Sequence, residues 1–424
     1  MTEMQYNILS ENNTSTVVAH YERPAMVADD GYQTEADLER SFIEQLQRQG
    51  YEYAQIHNED ELISNLRVKL EELNNYHFTD NEWSRFFKTE IASEGKGIID
   101  KTRTIQTDFV KTLKCDNGEE KNIYLIKKDD VHANRTQVIN QYEVWNGQRP
   151  NRYDVSILVN GLPLVHIELK KRGVSIKEAF NQINRYGRES FWAGNGLFEY
   201  VQIFVVSNGT QTKYYSNTTR DSHINEIRKG GNKNKPKTSN SFEFTSYWAD
   251  ASNQVLNDLV DFTATFFSRH TLLNVLTRFC VLTEQDLLLV MRPYQIAATE
   301  ALLNQIERAH NMRRQGTIDA CGYVWHTTGS GKTLTSFKAA QLATKYDFID
   351  KVVFVVDRKD LDYQTMKEYD RFQKGAANGN TSTKILEGQL KNPKCKIVIT
   401  TIQKLTSLIK RFPTHEIFGK NVVM

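Results

Sequence analysis

The segment HTTGSGKT, from His326 to Thr333, restricts the possible folds of this chain more than any other part of it. It follows the short apolar run 323–325, which we predict to be a strand, and precedes a helical pattern from Leu334 to Lys345. Glycine-rich loops in this setting hold phosphate groups in parallel α/β sheets. Strand and helix signals also alternate from Tyr323 onward, which predicts the same kind of sheet.

The chemistry of this loop points to a nucleotide. Its glycines let backbone N–H groups surround phosphate, while Lys332 can reach the β- and γ-phosphates and the Thr333 hydroxyl can bind Mg²⁺. The strict pattern has glycine where this chain has His326, so the match to it is incomplete. The candidate nucleotide-binding residues of the loop are Thr328, Gly329, Ser330, Gly331, Lys332 and Thr333.

The rhythm of the sequence changes near residues 250–270. Residues 120–220 alternate as short strands around one helix, Ser175 to Glu189, and a helical stretch follows from about Asn253 to Cys280. We therefore predict a tail over 1–30, a first domain over 31–260 and a second over 261–424. The length of 424 residues and the 39% hydrophobic content allow more than one core.

Composition excludes several classes of protein. The chain lacks an apolar run of about 20 residues, and its polar start does not resemble a signal peptide. The four cysteines form no CxxC pair, so neither a zinc site nor a disulfide framework is indicated. These features predict a soluble protein of a reducing compartment with no membrane partner.

One basic segment stands out although the net charge is only +2. Residues 228–237, RKGGNKNKPK, contain five basic side chains and no acidic one, and their glycines and proline indicate a loop. The segment fits a solvated surface loop, a loop that contacts phosphates, or a flexible coupling element.

A second candidate site surrounds Asn160-Gly161, a strong signal for a β-hairpin. A two-residue loop would turn the apolar sets of the two strands to opposite faces. A three-residue loop or a β-bulge centred on Gly161 instead pairs 154 with 168 and turns both sets towards one core. Asp154, Glu168 and Lys170 then lie together on the opposite, polar face.

Two carboxylates on adjacent strands suit Mg²⁺, and a lysine beside them can orient or activate a water molecule. A solvated face with a structural Glu168–Lys170 pair would fit the same short pattern. The helix that follows adds Gln182 and Tyr186, which are four residues apart and share a helix face.

Asp154, the ExK of 168–170 and the QxxxY of 182–186 together resemble the RecB-type branch of the PD-(D/E)XK nucleases. The resemblance implies that the two carboxylates hold Mg²⁺, that Lys170 serves the water, and that the Gln/Tyr pair helps to position the DNA and the active site. It also implies a glutamate on an early helix near the metal. Glu39 is our candidate, and Glu35 and Glu44 are the alternatives.

Three further segments resemble motifs of superfamily 2 helicases. RPYQ resembles the adenine-reading motif and implies that Gln295 binds adenine, while 352–361 and 397–405 resemble motifs Ia and Ib. Motif Ib implies contacts from Thr400 and Thr401 to a DNA strand. The acidic Walker B motif and a second lobe do not follow, so we expect an N-terminal fragment that binds ATP without turning it over efficiently.

Taken together, the sequence predicts an α/β fold in which a PD-(D/E)XK (RecB-type) nuclease domain precedes the first, incomplete RecA-like lobe of a superfamily 2 motor. From about residue 30 onward the chain is similar to the R (motor) subunit of type I restriction–modification enzymes. This resemblance implies Mg²⁺ and ATP as cofactors, double-stranded DNA as substrate, methyltransferase (M) and specificity (S) subunits as partners, and a prokaryotic cytoplasm. A stand-alone helicase–nuclease is the alternative, and a catalytically silent DNA-binding module is a third hypothesis.

Overall fold

The computed structural model describes residues 6–7, 18–21, 34–145, 150–219, 239–357 and 359–424, so the basic segment 228–237 lies outside the described residues. Two compact units make up this part of the chain. Unit 1 holds the described residues up to 282 together with 286–292, and unit 2 holds 283–285 and the described residues from 293 onward.

The division between the units falls later in the chain than the predicted domain boundary at 260. Two short helices beyond that boundary belong to unit 1, because their aromatic side chains pack into its interior. Phe262 and Phe266 contact the ring of Tyr214, and Phe267 contacts that of Phe42.

Unit 1 contains seven helices within the described residues. Side chains cap several of them: Thr34 and Thr79 form capping boxes, and Ser175 caps the helix predicted over 175–189. The helices are α1 (Glu35–Arg48), α2 (Glu59–Asn74), α3 (Asp80–Phe86), α4 (Ile98–Gln106), α5 (Ile176–Glu189), α6 (Leu259–Thr265) and α7 (Arg269–Thr277).

The strands of unit 1 form one main sheet and three two-stranded pairs. The strands are β1 (Tyr6–Asn7), β2 (His20–Tyr21), β3 (Glu52–Tyr53), β4 (Val110–Lys114), β5 (Glu120–Tyr124), β6 (Thr136–Trp145), β7 (Pro150–Val159), β8 (Leu162–Leu169), β9 (Ile203–Ser207), β10 (Thr212–Ser216), β11 (Cys280–Leu282) and β12 (Leu288–Val290). The main sheet is mixed and has the order β10-β9-β8-β7-β6-β3. β8 and β9 run parallel because α5 connects them as a crossover.

The hairpin of β7 and β8 reaches the predicted register through a β-bulge, but the bulge lies at Ile157/Leu158 and not at Gly161, where it was predicted. Val159 pairs with Leu162 across the two-residue turn, but the register shifts at Ile157/Leu158, so that Val155 pairs with Ile167. This register sets residue 154 opposite 168, as predicted. The second face of the hairpin is not solvated, however, because β8 is buried along its whole length.

Unit 2 contains the parallel α/β sheet predicted from the alternating pattern. Its order is β14-β15-β13-β16, and each recorded pairing in it is parallel. The elements are α8 (Pro293–Asn311), α9 (Lys332–Ala343), β13 (Lys351–Val356), α10 (Lys359–Phe372), β14 (Asn378–Gly379), α11 (Thr383–Lys391), β15 (Ile397–Thr401), α12 (Ile402–Arg411) and β16 (Val422–Val423). Among the helices of the described ranges, none is long and apolar enough to cross a membrane.

The strand predicted immediately before the phosphate loop is absent from unit 2. Residues 321–327 have no regular structure, and the side chains of Tyr323 and Trp325 are 91% and 88% exposed. A strand needs a hydrogen-bonded neighbour, and no strand of the described sheet pairs with this segment. The prediction of a strand at 323–325 is therefore wrong for this structure.

Candidate functional site

The hairpin brings Asp154, Glu168 and Lys170 together at the end of β8. Asp154 Oδ2 accepts a hydrogen bond from the Leu169 amide at 2.8 Å, which fixes this carboxylate beside the next strand. Lys170 Nζ donates to the Leu169 carbonyl at 2.7 Å and lies 3.4 Å from Glu168 Oε1. Glu168 is completely buried. The structure thus assembles the three residues that the sequence pattern selected.

Burial dominates the electrostatics of this cluster. Burial and the neighbouring charge of Glu168 raise the pKa of Asp154 to about 8. Burial raises the pKa of Glu168 to about 8 as well, although Lys170 opposes the shift. Burial works against the Lys170 ammonium ion too, but Glu168, Asp154 and Glu35 hold the pKa of that amine above its ordinary value. In the metal-free protein the raised pKa values favour the protonated carboxyl groups, and an additional cation beside them would favour their ionised forms.

A fourth polar side chain, His166, lies on the same face of β8. Its Nε2 is 3.3 Å from Glu168 Oε2, and its Nδ1 is 3.0 Å from Ser156 Oγ. Burial lowers the pKa of His166 to about 4, although the charge of Asp154 opposes the shift. The imidazole is therefore neutral at physiological pH.

The residues of the QxxxY pattern lie next to this cluster on α5. Gln182 Nε2 donates to the Tyr186 hydroxyl at 2.6 Å, and that hydroxyl donates to the Arg152 carbonyl of β7 at 2.8 Å. Tyr186 is buried and its ring contacts that of His166. The pair thus fastens α5 to the hairpin of β7 and β8, and Tyr186 is not accessible to a large ligand.

The three early glutamates differ in their surroundings. Glu35 Oε1 is 3.5 Å from Lys170 Nζ, which places it at the edge of the cluster. Glu39 instead accepts hydrogen bonds from Asn140 and Gln141, and burial raises its pKa. Glu44 is exposed. The candidate chosen from the sequence, Glu39, is therefore occupied by other partners, whereas Glu35 contacts Lys170.

The cluster fits a magnesium ion better than a metal that requires many protein ligands. Within the described residues, no group of three or more His, Cys, Asp or Glu side chains forms a ready ligand set. Mg²⁺ commonly takes only one or two carboxylates and keeps several waters. Asp154 and Glu168 would hold the ion, because the bond from the Leu169 amide to Asp154 Oδ2 and the ion pair of Lys170 with Glu168 Oε1 leave lone pairs on both carboxylates. When bound, Mg²⁺ would stabilise charge on phosphate oxygens.

The phosphate loop of unit 2 leads directly into α9. Lys332 Nζ donates to the carbonyls of His326 and Thr327 at 3.3 and 3.1 Å, so the side chain folds over its own loop. Gly331 has φ +82°, and a Cβ there would lie 2.4 Å from Gln295 Nε2. The loop thus depends on glycine at this position, and α9 begins immediately after it.

Gln295 contacts the loop. Its Nε2 donates to the Ser330 carbonyl at 2.9 Å, as does the Tyr294 hydroxyl at the same distance. The structure therefore joins the RPYQ motif to the phosphate loop, and adenine binding by Gln295 stays a prediction.

The two threonines of the motif Ib-like segment make bonds inside unit 2. Both are fully buried on β15. Thr400 Oγ1 donates to Asn380 Oδ1 at 3.0 Å, and Thr401 caps α12 by accepting from the Lys404 amide. Their hydroxyls are therefore engaged in structure, and contacts from them to DNA would require these bonds to open.

Comparison with known proteins matches both candidate sites. The model of the type I restriction enzyme R protein N terminus (HSDR_N) matches residues 32–223, and that of the SWI2/SNF2 ATPase matches residues 294–423. The Type I restriction enzyme EcoprrI endonuclease subunit of Escherichia coli is 47% identical over 300 residues, which cover 70% of this chain and 90% of that relative. The chain belongs to the type I restriction enzyme endonuclease subunits.

Longer relatives contain much more sequence than this endonuclease subunit chain. The SsaAORF53P subunit of Staphylococcus saprophyticus is 42% identical over 387 residues, which cover 89% of this chain and 38% of the relative. The SauCOLORF180P subunit of Staphylococcus aureus (strain COL) is 39% identical over 402 residues, covering 93% and 39%. The chain thus spans about 38% of the length of these two relatives.

Sequence reasoning missed one residue of the endonuclease subunit's carboxylate cluster, His166, and named another, Glu35, only among three candidates. His166 precedes Glu168 by two positions, so the period of a strand sets both on one face, and this signal was available from the sequence. Glu35 was considered only as an alternative, and no local pattern separates it from Glu39. Its selection depends on the tertiary distance to Lys170.

Proposed function

We propose that this endonuclease subunit chain cleaves DNA in a Mg²⁺-dependent reaction at Asp154, Glu168 and Lys170, coupled to ATP-dependent translocation by a motor that begins in unit 2. One observation carries the proposal: the buried Glu168, the half-buried Asp154 and the lysine converge within the region that matches the HSDR_N model. In this proposal unit 1 has the PD-(D/E)XK fold and unit 2 is the first RecA-like lobe, so the two domains predicted over 31–260 and 261–424 are kept with their boundary moved to the division between the units.

The residues divide the chemistry among them. Asp154 and Glu168 would hold Mg²⁺, which would stabilise negative charge on the scissile phosphate of duplex DNA. Lys170, kept charged by the surrounding carboxylates, orients the attacking water and stabilises negative charge on the phosphate. Gln182 and Tyr186 keep α5 and the hairpin in register, which maintains the spacing of the two carboxylates.

Unit 2 binds the nucleotide in this proposal. The loop amides of 328–331 hold the phosphates, Lys332 exchanges its carbonyl contacts for the β- and γ-phosphates, and Thr333 binds the Mg²⁺ of ATP. Methyltransferase and specificity subunits supply recognition of an unmethylated site, and the enzyme acts in the prokaryotic cytoplasm. A stand-alone helicase–nuclease without these partners is the second candidate, because both proposed sites lie within this chain.

The nuclease proposal is tested on the full product of the gene, together with the M and S proteins encoded beside it, acting on unmethylated supercoiled plasmid with ATP and Mg²⁺. Asp154→Asn or Lys170→Ala should slow strand cleavage by at least about 100-fold, since each removes several kcal/mol of transition-state stabilisation. ATP turnover should persist in both variants. Cleavage at the wild-type rate in both variants would refute the assigned site.

Two controls separate this effect from general damage. Lys171→Ala removes a neighbouring exposed lysine outside the cluster, and at saturating DNA it should cleave at the wild-type rate. Omitting the M and S proteins should abolish cleavage. Cleavage without them would favour the stand-alone helicase–nuclease.

A further inference from the structure

His166 is a fully buried histidine for which the proposed cleavage chemistry has no use. It lies on β8 two residues before Glu168, and both side chains are completely inaccessible to solvent. The two oxygens of Glu168 point to different neighbours: Oε1 lies 3.4 Å from Lys170 Nζ, and Oε2 lies 3.3 Å from His166 Nε2. One oxygen therefore faces the reactive lysine while the other faces the imidazole.

The facing atoms of this pair are both without a hydrogen bond. His166 Nε2 and Glu168 Oε2 are buried, and neither has the geometry of a hydrogen bond to any neighbour. Buried polar atoms in native proteins nearly always have a partner, so such a pair calls for an explanation. The two atoms need only a small rotation of Glu168 to become partners of each other.

An aromatic cage keeps the imidazole in place. The rings of four aromatic residues surround His166 with centroid distances between 5.5 and 6.3 Å: Tyr153, Tyr186, Phe191 and Phe204. Ser156 Oγ holds the ring from the opposite nitrogen at 3.0 Å. The direction of this bond depends on the tautomer of the ring, and the tautomer in which the serine hydroxyl donates to Nδ1 carries the ring proton on Nε2, aimed at Glu168.

We propose that His166 is a positioning residue, which donates from Nε2 to Glu168 Oε2 when the metal is bound and so directs Oε1 towards the ion. This inference deepens the proposed function, since it rests on the metal site at Asp154 and Glu168. A hydrogen bond to the outer oxygen of a ligating carboxylate fixes its orientation, and the loss of such partners typically weakens metal binding by 10- to 100-fold.

The same cage gives the QxxxY pair an indirect role. Gln182 and the Arg152 carbonyl fix the Tyr186 hydroxyl, and the Tyr186 ring packs edge-on against His166. The chain of contacts therefore runs from α5 through the imidazole to Glu168. In this view the Gln/Tyr pair supports the metal ligand and does not touch the metal.

The test measures Mn²⁺ binding to the 424-residue chain by electron paramagnetic resonance, which needs no DNA and no turnover. His166→Leu keeps a similar volume without a donor and should weaken Mn²⁺ binding by 10- to 100-fold. His166→Gln, whose amide can reach the position of Nε2, should bind within about 5-fold of wild type. Ser156→Ala should weaken binding a few-fold, and it serves as the second variant if His166→Leu does not fold.

Phe262→Leu is the matched control, because it opens a cavity in unit 1 at a buried residue outside the cage. It should lower thermal stability without changing Mn²⁺ affinity. Wild-type affinity in both His166→Leu and Ser156→Ala would overturn the inference, as would equal losses in His166→Leu and His166→Gln. A nitrogen coupling from histidine in the Mn²⁺ spectrum would also overturn it, because His166 would then be a ligand.

An Asp154→Asn arm separates failure of the inference from failure of the proposed function. If Asp154→Asn abolishes Mn²⁺ binding while His166→Leu leaves it intact, only the positioning role is wrong. If Asp154→Asn binds Mn²⁺ as wild type does, the metal site itself is misplaced, and the inference falls with it.

Discussion

The buried carboxylate Glu168 should destabilise the metal-free protein in a pH-dependent way. Burial raises its pKa from 4.5 in the unfolded chain to about 8 in the folded one. Below pH 4.5 the group is protonated in both states and has no effect. As the pH rises towards 8, the unfolded state loses its proton first, so the folded state loses stability progressively.

The size of this effect follows from the shift. One pKa unit corresponds to about 1.4 kcal/mol, so an isolated group with this shift would cost about 5 kcal/mol above pH 8. Asp154 titrates together with Glu168, and the pair shares its protons. We therefore expect Glu168→Gln, which cannot ionise, to raise the free energy of unfolding by about 2–4 kcal/mol at pH 8.5 and by less than about 1 kcal/mol at pH 4.5.

Urea unfolding in EDTA, followed by tryptophan fluorescence, measures this difference. Trp83 and Trp248 are buried in unit 1, whereas Trp325 of unit 2 is already 88% exposed, so the signal reports mainly on unit 1. Glu178→Gln, which changes an exposed glutamate of α5, is the matched control and should shift stability by less than about 0.5 kcal/mol at either pH. An equal gain for Glu168→Gln at both pH values would refute the reasoning.

Saturating Mg²⁺ should stabilise the wild type but not Glu168→Gln. The free energy of unfolding of the wild type should rise by about 2.7 kcal/mol when the Mg²⁺ concentration is 100 times the dissociation constant.

Two further substitutions test the turn and the loop. Gly161→Ala should destabilise unit 1 by about 2–4 kcal/mol in urea unfolding, because φ is +83° and a Cβ would lie 2.6 Å from Leu66 Cα. Gly118→Ala, with φ +87° and open space, should cost only about 1 kcal/mol, and equal losses would show that the contact with Leu66 is unimportant. Lys332→Ala should lose binding of a fluorescent ATP analogue. The control Lys345→Ala removes an exposed lysine beyond α9 and should bind the analogue as the wild type does. Retained binding in Lys332→Ala would contradict the assigned phosphate site.

The local chemistry of both candidate sites could be predicted from the sequence. The bulged hairpin followed from the period of two in its apolar residues, since only one register buries both sets. The parallel sheet of unit 2 followed from alternating strand and helix signals. Membership of the type I restriction enzyme endonuclease subunits, expected from the order and spacing of the motifs, is confirmed by the comparisons.

Long-range packing decided the rest. The apolar run 323–325 predicts a strand, but a strand forms only where an adjacent strand pairs with its backbone N–H and C=O groups. The two helices after residue 258 belong to unit 1 because their phenylalanine rings pack against aromatic rings from distant parts of the sequence.

The carboxylate cluster shows the same division between sequence and tertiary structure. The sequence determined that Asp154, Glu168 and Lys170 share a face, because strand period and register are local properties of the hairpin. Only the tertiary structure decided that this face is buried, that Glu35 reaches Lys170, and that His166 stands behind Glu168 in an aromatic cage. The reason is physical: periodicity fixes the direction of a side chain, whereas its solvation, and hence its pKa, depends on elements that pack over it from elsewhere in the chain.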